Sequence, residues 1–387
     1  MITKKLSFGH LSGIQFGTFV TAGYMALGIF YFPRQLVAAA GRDGIWALWI
    51  DGLVTFLLMK LSFKMSKLVP SQTFVQFSGD LASKPLGIFL ALIRIVYHFL
   101  LAVIIMVLFT SFMGNDFLPG TPSWALSGIL IVGAVYMAWF GTTALARTLE
   151  VGYIPMVALT TLTLALAMSV VKYPLLLAPP VNIQVIPILQ AAYHEFFIFI
   201  GFEVSMTLYP FVAEKEQKRA EFFAIGGLAV MIIILTIMYE ACIATFGPSY
   251  IPYIRWPIIA LLRIIEVSGF FVDKWGSLVV ALWTIAVLGF LAVRLWCVVH
   301  DIAAIFFVHS VRAYHYLLLP CAVTVYIMAA MIPNAVLTEV FMQKVLLPTA
   351  LLYQTIVPIF LLAVSIFRPK VLEKLRKRTH TEPQLTS

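Results

Sequence analysis

Thr21-Ala22-Gly23-Tyr24-Met25-Ala26-Leu27-Gly28-Ile29-Phe30-Tyr31-Phe32-Pro33 decides the fold: it belongs to an apolar stretch able to cross a bilayer, yet it carries two glycines at mid-membrane depth and a proline at its outer end. Glycine permits local unwinding and close backbone approach, and a membrane tolerates unwound backbone only where protein or a polar cavity surrounds it. The N–H groups freed at such a break, aided by the half-helix dipole, can hold an anionic group such as a carboxylate. The competing reading of Gly23 and Gly28 is tight helix packing. A second stretch favours the site: Ala191-Ala192-Tyr193-His194-Glu195-Phe196-Phe197-Ile198-Phe199-Ile200-Gly201-Phe202-Glu203-Val204-Ser205 again sets a glycine near mid-membrane, beside an acid. Interrupted helices at matching places of two halves point to a midplane ligand site in transporter folds. The halves share no residue-level similarity, so the repeat rests on this placement alone.

Outward from these two stretches, the whole chain reads as membrane protein. It is 62% hydrophobic and 11% charged, whereas soluble domains carry roughly a quarter charged residues. A bilayer core of about 30 Å needs roughly 20 apolar residues per helix. Spans are therefore predicted near 11–32, 44–63, 86–113, 123–140, 151–171, 188–210, 222–246, 275–299, 316–333 and 345–367. The predicted fold class is an all-α polytopic membrane protein with ten transmembrane helices, a five-plus-five inverted repeat with helices one and six broken. Residues 1–367 are expected to form a single membrane domain and 368–387 a basic cytoplasmic tail. The first span holds glycines, lacks a small-residue cleavage site and leads into further spans, so it is read as retained rather than as a secretory signal.

Orientation follows from Lys and Arg in the short loops. With the N-terminus inside, Lys4, Lys5, Lys64, Lys67, Lys84, Arg147, Lys215, Lys218, Arg219, Arg312 and the basic residues of the tail face the cytoplasm, against Arg34, Arg42, Lys172, Arg255, Arg263, Lys274 and Lys344 on the other face. Both termini are thus expected inside, and the net charge of +9 reports topology with a contribution from anionic lipid, not nucleic acid. Trp256 to Phe271 is short for a span and reads as an interfacial or re-entrant helix. Cys242, Cys297 and Cys321 form no disulfide framework or metal pattern and read as small packing residues.

Ionisable residues inside a membrane cost roughly 2.5–3.5 kcal/mol each on insertion scales, so each needs a partner or a polar cavity. Arg94 shares a helix face with Tyr97 and His98 at i+3 and i+4. Glu203 lies just past Gly201, and Glu195 nearer the outer side. Glu203 or Glu195 is expected to accept a cationic group or a structural arginine, with Tyr97 facing the ligand; a buried structural ion pair is the alternative. Arg294 is expected to snorkel to the cytoplasmic surface. No G-x-x-x-x-G-K-[ST], H-E-x-x-H or G-x-S-x-G is present, which argues against an ATP-driven pump, a zinc protease and a serine hydrolase, and no cofactor is implied.

Several strings occur together: Ser12-Gly13-Ile14-Gln15, Phe32-Pro33, Ala40-Gly41-Arg42-Asp43-Gly44-Ile45-Trp46, Gly201-Phe202-Glu203-Val204, and Trp256-Pro257 with Glu266-Val267-Ser268-Gly269-Phe270-Phe271 before Trp283. In their order and spacing the chain resembles the B subunits of spore germinant receptors, the spore germination permease family, over nearly its full length. That family is similar in fold to the amino acid–polyamine–organocation transporters. The resemblance implies a nutrient sensor in the inner membrane of a bacterial endospore, binding amino acids, sugars or nucleosides and working with an A subunit and a lipoprotein C subunit. It implies a pocket from Gly23, Tyr24, Ala26 and Gly28 on helix one, Tyr97 and Leu101 on helix three, Ile200, Gly201 and Glu203 on helix six, and Gly289 and Val293 on helix eight. Two departures from the family pattern bear on it. Ala26-Leu27-Gly28 stands where relatives often carry Gly-x-Gly, which alters backbone capture of a carboxylate, and Gly289 stands where a hydroxyl would have helped. A proton- or sodium-coupled amino acid or polyamine transporter is the second reading on the same scaffold, and an intramembrane enzyme a third with no catalytic constellation behind it.

Overall fold

The computed structural model describes residues 10–26, 28–70, 72–177, 183–265, 275–306, 311–332 and 335–381. The chain enters through α1 (Gly13–Ala26), stops, and resumes as α2 (Phe32–Ala40). It continues through α3 (Gly44–Ser66), α4 (Phe74–Leu81), α5 (Lys84–Asp116), α6 (Ser123–Trp139), α7 (Gly141–Ala167), α8 (Val185–Glu195) and α9 (Val204–Leu208). The remainder is α10 (Gln217–Phe246), α11 (Pro257–Ile264), α12 (Trp275–Ile305), α13 (Val311–Met331), α14 (Ala335–Phe341), α15 (Leu347–Phe367) and α16 (Pro369–Thr381). Among the described residues the only β pairing is a bridge between Leu11 and Val212. It ties the start of α1 to the segment after α9, with the Leu11 N–H donating to the Phe211 carbonyl at 2.8 Å.

Eight helical stretches in the described residues are long and apolar enough to cross a bilayer, which makes the chain a multi-pass membrane protein. Ser123–Trp139 is apolar but shorter, and α1 taken alone has 14 residues. Several expected boundaries move. The first span does not close at Phe32-Pro33; α2 begins there, because proline has no N–H to lose in a helix's first turn. The fifth span starts at Gly141 rather than near 151. The segment from Trp256 forms α11, eight residues and too short to cross, packed against α2, α7, α10 and α12; Glu266 to Phe271 lie outside the described residues. The C-terminal segment is helical to Thr381 and folds back: the Arg368 guanidinium donates to the Ala82 carbonyl at 2.7 Å, Arg376 Nε donates to the Leu68 carbonyl at 3.1 Å, and Leu375 is buried. All three cysteines are buried and free.

Membrane helices gain no hydrophobic drive from meeting one another, so they associate through close packing and polar contacts. The seam between α1 and α10 shows the first. A Cβ on Gly13 would lie 2.9 Å from the Ala220 nitrogen, and one on Gly17 would lie 2.5 Å from the Phe223 Cβ. Gly17→Leu is therefore expected to wedge α1 from α10 and destabilise the protein by about 1–3 kcal/mol or more. Gly226→Leu on α10, where a Cβ meets nothing within 4 Å, serves as control; the thermal unfolding midpoint in detergent compares the two, and equal midpoints would refute the seam.

Candidate ligand site at the two helix breaks

Helix one breaks after Ala26. Gly28 adopts φ 69°, in the left-handed region glycine favours, and its carbonyl accepts the N–H groups of Tyr31 and Phe32, both at 3.1 Å, before α2 begins. The corresponding break follows α8: a 3₁₀ turn over Phe196–Phe199, extended backbone at Ile200, then Gly201 at φ 152° before α9. This second break packs against the intact part of α1. A Cβ on Gly23 would fall 2.9 Å from the Gly201 Cα, and one on Gly201 would fall 2.9 Å from the Gly23 Cα. Gly23 itself stays helical inside α1, so its role in the structure is this backbone approach, and the unwinding is displaced to Gly28.

Two small cavities flank the contact. One, about 210 Å³ of empty space, is lined by Phe19, Ala22, Gly23, Gly201, Val204, Phe290, Val293 and Arg294. The other, about 270 Å³, lies beside the unwound part of helix one and is lined by Gly28, Ile29, Phe30, Tyr31, Ile105, Leu108, Phe109, Phe112, Trp256 and Trp283. Its walls are an aromatic cluster: Phe30 meets Trp283 edge-on at 4.3 Å and stacks on Phe112 at 5.2 Å, and Tyr31 stacks on Phe197 at 5.5 Å. The Trp256 indole Nε1 is buried with no hydrogen-bond partner among the described residues, so this apolar cavity carries one unused donor.

Beneath the glycine contact sits a buried polar network drawn from four helical segments. The Arg294 guanidinium of α12 is ion-paired with Glu203, both with side chains 1% exposed or less. Glu203 Oε2 also accepts the Gly201 N–H at 2.8 Å and the Gln354 amide of α15 at 3.2 Å. The same amide donates to the Tyr97 hydroxyl on α5 at 3.1 Å. Arg294 Nη1 lies 3.1 Å from His98 Nδ1; a guanidinium only donates, so Nδ1 accepts and the imidazole proton sits on Nε2. One turn back on α5, Arg94 pairs with Asp301, its Nε donating at 2.6 Å. The rungs Arg94–Asp301 and His98–Arg294 set α5 and α12 antiparallel. The expectation that Arg294 snorkels is corrected here: α12 runs on to Ile305, which places Arg294 well inside the helix, where burial is offset by its carboxylate partner and by the Phe290 ring 4.4 Å away.

The residues singled out from the sequence fall into four groups. Gly23, Gly201 and Val293 line the smaller cavity and Gly28 the larger. Tyr97 and Glu203 belong to the polar network. Tyr24 turns to α3, its hydroxyl 3.2 Å from the Met59 sulfur, while Leu101 and Ile200 are fully buried core. Gly289 faces Leu149 of α7 and Met137 of α6 rather than either cavity, and Ala26 ends α1. The N–H freed at Gly201 is already taken by Glu203. Glu195 stands apart from this network, with neither carboxylate oxygen partnered among the described residues. Arg294 and Gln354 were not among the expected pocket residues, nor were Phe30, Trp256 and Trp283. A lone amide inside the apolar run 347–367 was the available signal for Gln354.

Comparison with known proteins agrees with this geometry. The chain is 23% identical over 268 residues to spore germination protein YndE of Bacillus subtilis (strain 168), covering 69% of this chain and 73% of that one. It is 22% identical over 311 residues to spore germination protein GerLB of Bacillus cereus, covering 79% and 80%. Among solved structures it superposes on a Na⁺-coupled sialic acid symporter in a substrate-bound outward-open state, with TM-score 0.62, 12% identity and coverage of 97% and 91%. It also superposes on MHP1, a nucleobase-cation-symport-1 family transporter, with TM-score 0.62, 10% identity and coverage of 97% and 99%. At such identities the structures establish the fold, an all-helical transporter architecture with helices one and six interrupted. The family model for spore germination proteins matches residues 10–338, and this chain belongs to that family.

Proposed function

We propose that the chain is a nutrient-sensing subunit of a spore germinant receptor. A small molecule, first of all an amino acid, binds beside the two helix breaks and biases the assembly toward germination. The single observation that carries the reading is the meeting of two interrupted helices at Gly23 and Gly201, next to small cavities, in a member of the spore germination family. On this reading the interrupted first helix counts as one crossing of ten, with α8 and α9 together as the sixth. Lys and Arg in the loops favour cytoplasmic termini, which puts α16 on the cytoplasmic side as the basic tail, and the membrane is the inner membrane of the spore. The partners are the A and C subunits of the receptor. A ligand can shift the assembly only by binding the triggering state more tightly than the resting one, so closure of the aromatic cavity around the guest would supply the difference.

Spores lacking this gene, and the same spores complemented, should differ in response to one nutrient of a panel and not to a nutrient-independent trigger. Trp256→Leu, which removes the unused indole donor and part of the cavity wall, is expected to shift the dose–response curve about tenfold or more at unchanged protein level, as loss of a well-placed polar contact costs on the order of 1.5 kcal/mol. An unshifted curve would remove the larger cavity from the reading. The fold shared with coupled symporters supports a second reading, transport of an amino acid or polyamine, which uptake of labelled nutrient into proteoliposomes holding only this chain would establish.

A further inference from the structure

A second buried polar group lies outside the ligand site. Asp51 on α3 and Glu195 at the end of α8 are 2% and 1% exposed, and α3 packs along α8. Neither oxygen of Glu195 has a hydrogen-bond partner among the described residues, nor does Asp51 Oδ2. The charged groups that act on Glu195 are Asp51 from α3, Glu339 from α14 and Arg34 from α2. Arg34 is committed to Glu339, Nη2 to Oε2 at 3.1 Å, where both side chains are about a quarter exposed. The nearby phenols are also engaged: Tyr239 donates to the Gly41 carbonyl, and Tyr31 points its hydroxyl at the Met342 sulfur, 3.8 Å away.

A third buried polar group lies at the same depth: the Gln184 N–H donates to Asp43 Oδ2 at 3.0 Å, so α3 and α8 start side by side and pack together, which sets Glu195 between the levels of Asp51 and Thr55. Thr55 is one turn from Asp51 on the same face of α3, fully buried, and its hydroxyl has no partner among the described residues. Several helical threonines return their hydroxyl to the carbonyl four residues back, as Thr110, Thr236 and Thr284 do, whereas Thr55, like Thr207 and Thr245, does not. Two ionised carboxylates, with one neutral hydroxyl as the only donor of the group, form an arrangement that a low-dielectric interior does not support. A proton neutralises one of the two charges in the least space, and the carboxylic acid so formed is a donor to the other carboxylate.

We propose that Glu195, with Asp51 beside it, is a proton-binding site: at neutral pH the pair keeps one carboxyl protonated and exchanges it with water through the end of the bundle marked by Arg34 and Glu339. Uptake transfers a proton from hydronium to a carboxylate oxygen and leaves water; release is the reverse, with no redox partner. Loss of the proton puts two like charges on facing helices and loosens α8, the half-helix that leads to the Gly201 break, from α3. The site would thus couple proton occupancy to the geometry of the break, whichever small molecule binds there.

Infrared spectra of the purified full chain in nanodiscs at neutral pH, recorded in H₂O and D₂O and in potassium and sodium buffers, test this without any nutrient. The expected result is a C=O component of a protonated carboxyl in the native-minus-variant difference spectrum, shifted in D₂O, unchanged by exchanging potassium for sodium, and lost in Glu195→Gln or Asp51→Asn. Either variant suffices if the other does not fold. No such band in the native chain, a band that persists in both variants, or one that vanishes in sodium, which would identify a metal cation as the occupant, overturns the proposal.

Discussion

Arg294→Met is expected to destabilise the purified protein by about 3–5 kcal/mol, because removing one partner of a buried ion pair leaves the other charge uncompensated. Glu203 would retain only the Gly201 N–H and the Gln354 amide, two neutral donors against a full charge with almost no exposure. The same substitution frees the His98 Nδ1 acceptor. The double variant Arg294→Met with Glu203→Gln contains no unpaired charge and should recover most of the loss, so the two substitutions are strongly non-additive. Thermal unfolding midpoints of the four proteins in one detergent measure the cycle. If the single arginine variant were as stable as the double, Glu203 would not depend on Arg294 for its charge, and the network would not hold the helix-six break in place.

Gly201→Ala is expected to cost on the order of 3 kcal/mol, the sum of a positive-φ conformation that L side chains rarely adopt and a methyl driven into backbone. Its Cβ would meet Gly23 backbone atoms at 2.9 Å, and backbone cannot rotate away as a flexible side chain can. Gly23→Ala supplies the comparison. It meets the same contact from the other side with ordinary helical φ, so it should lose only the packing part, about 1–3 kcal/mol. The predicted order of unfolding midpoints is native, then Gly23→Ala, then Gly201→Ala. Equal losses would mean that close approach, and not the backbone conformation of the break, is what glycine provides at 201.

Much of the architecture was legible before any coordinates. The apolar runs, the glycines in the first and sixth of them and the paired interruptions all survive in the structure, because helix formation in lipid is a local requirement that each run must meet with its own backbone groups. The details that moved are those that packing decides. The first run holds Gly23 and Gly28, and nothing in the run says which unwinds; Gly23 stays helical because Gly201 lies against it, while Gly28 turns against the Phe197 ring. Likewise Gly289 has the right helix for the expected pocket but the wrong face, since α12 presents it to Leu149 and Met137.

From the sequence alone came the membrane class, the helical fold, the two breaks and the acids beside the second. Tertiary structure alone decided the partners of those acids. Glu203 meets Arg294 across 91 residues and Gln354 across 151, while Glu195 meets another acid and no donor among the described residues. Hydrophobic run length and glycine placement can be read within one segment, whereas the compensation of a buried charge depends on which distant helices cross at its depth. Two glutamates eight residues apart on one interrupted helix were thus equivalent as residues and became an ion-pair member and a proton-site candidate only through their neighbours.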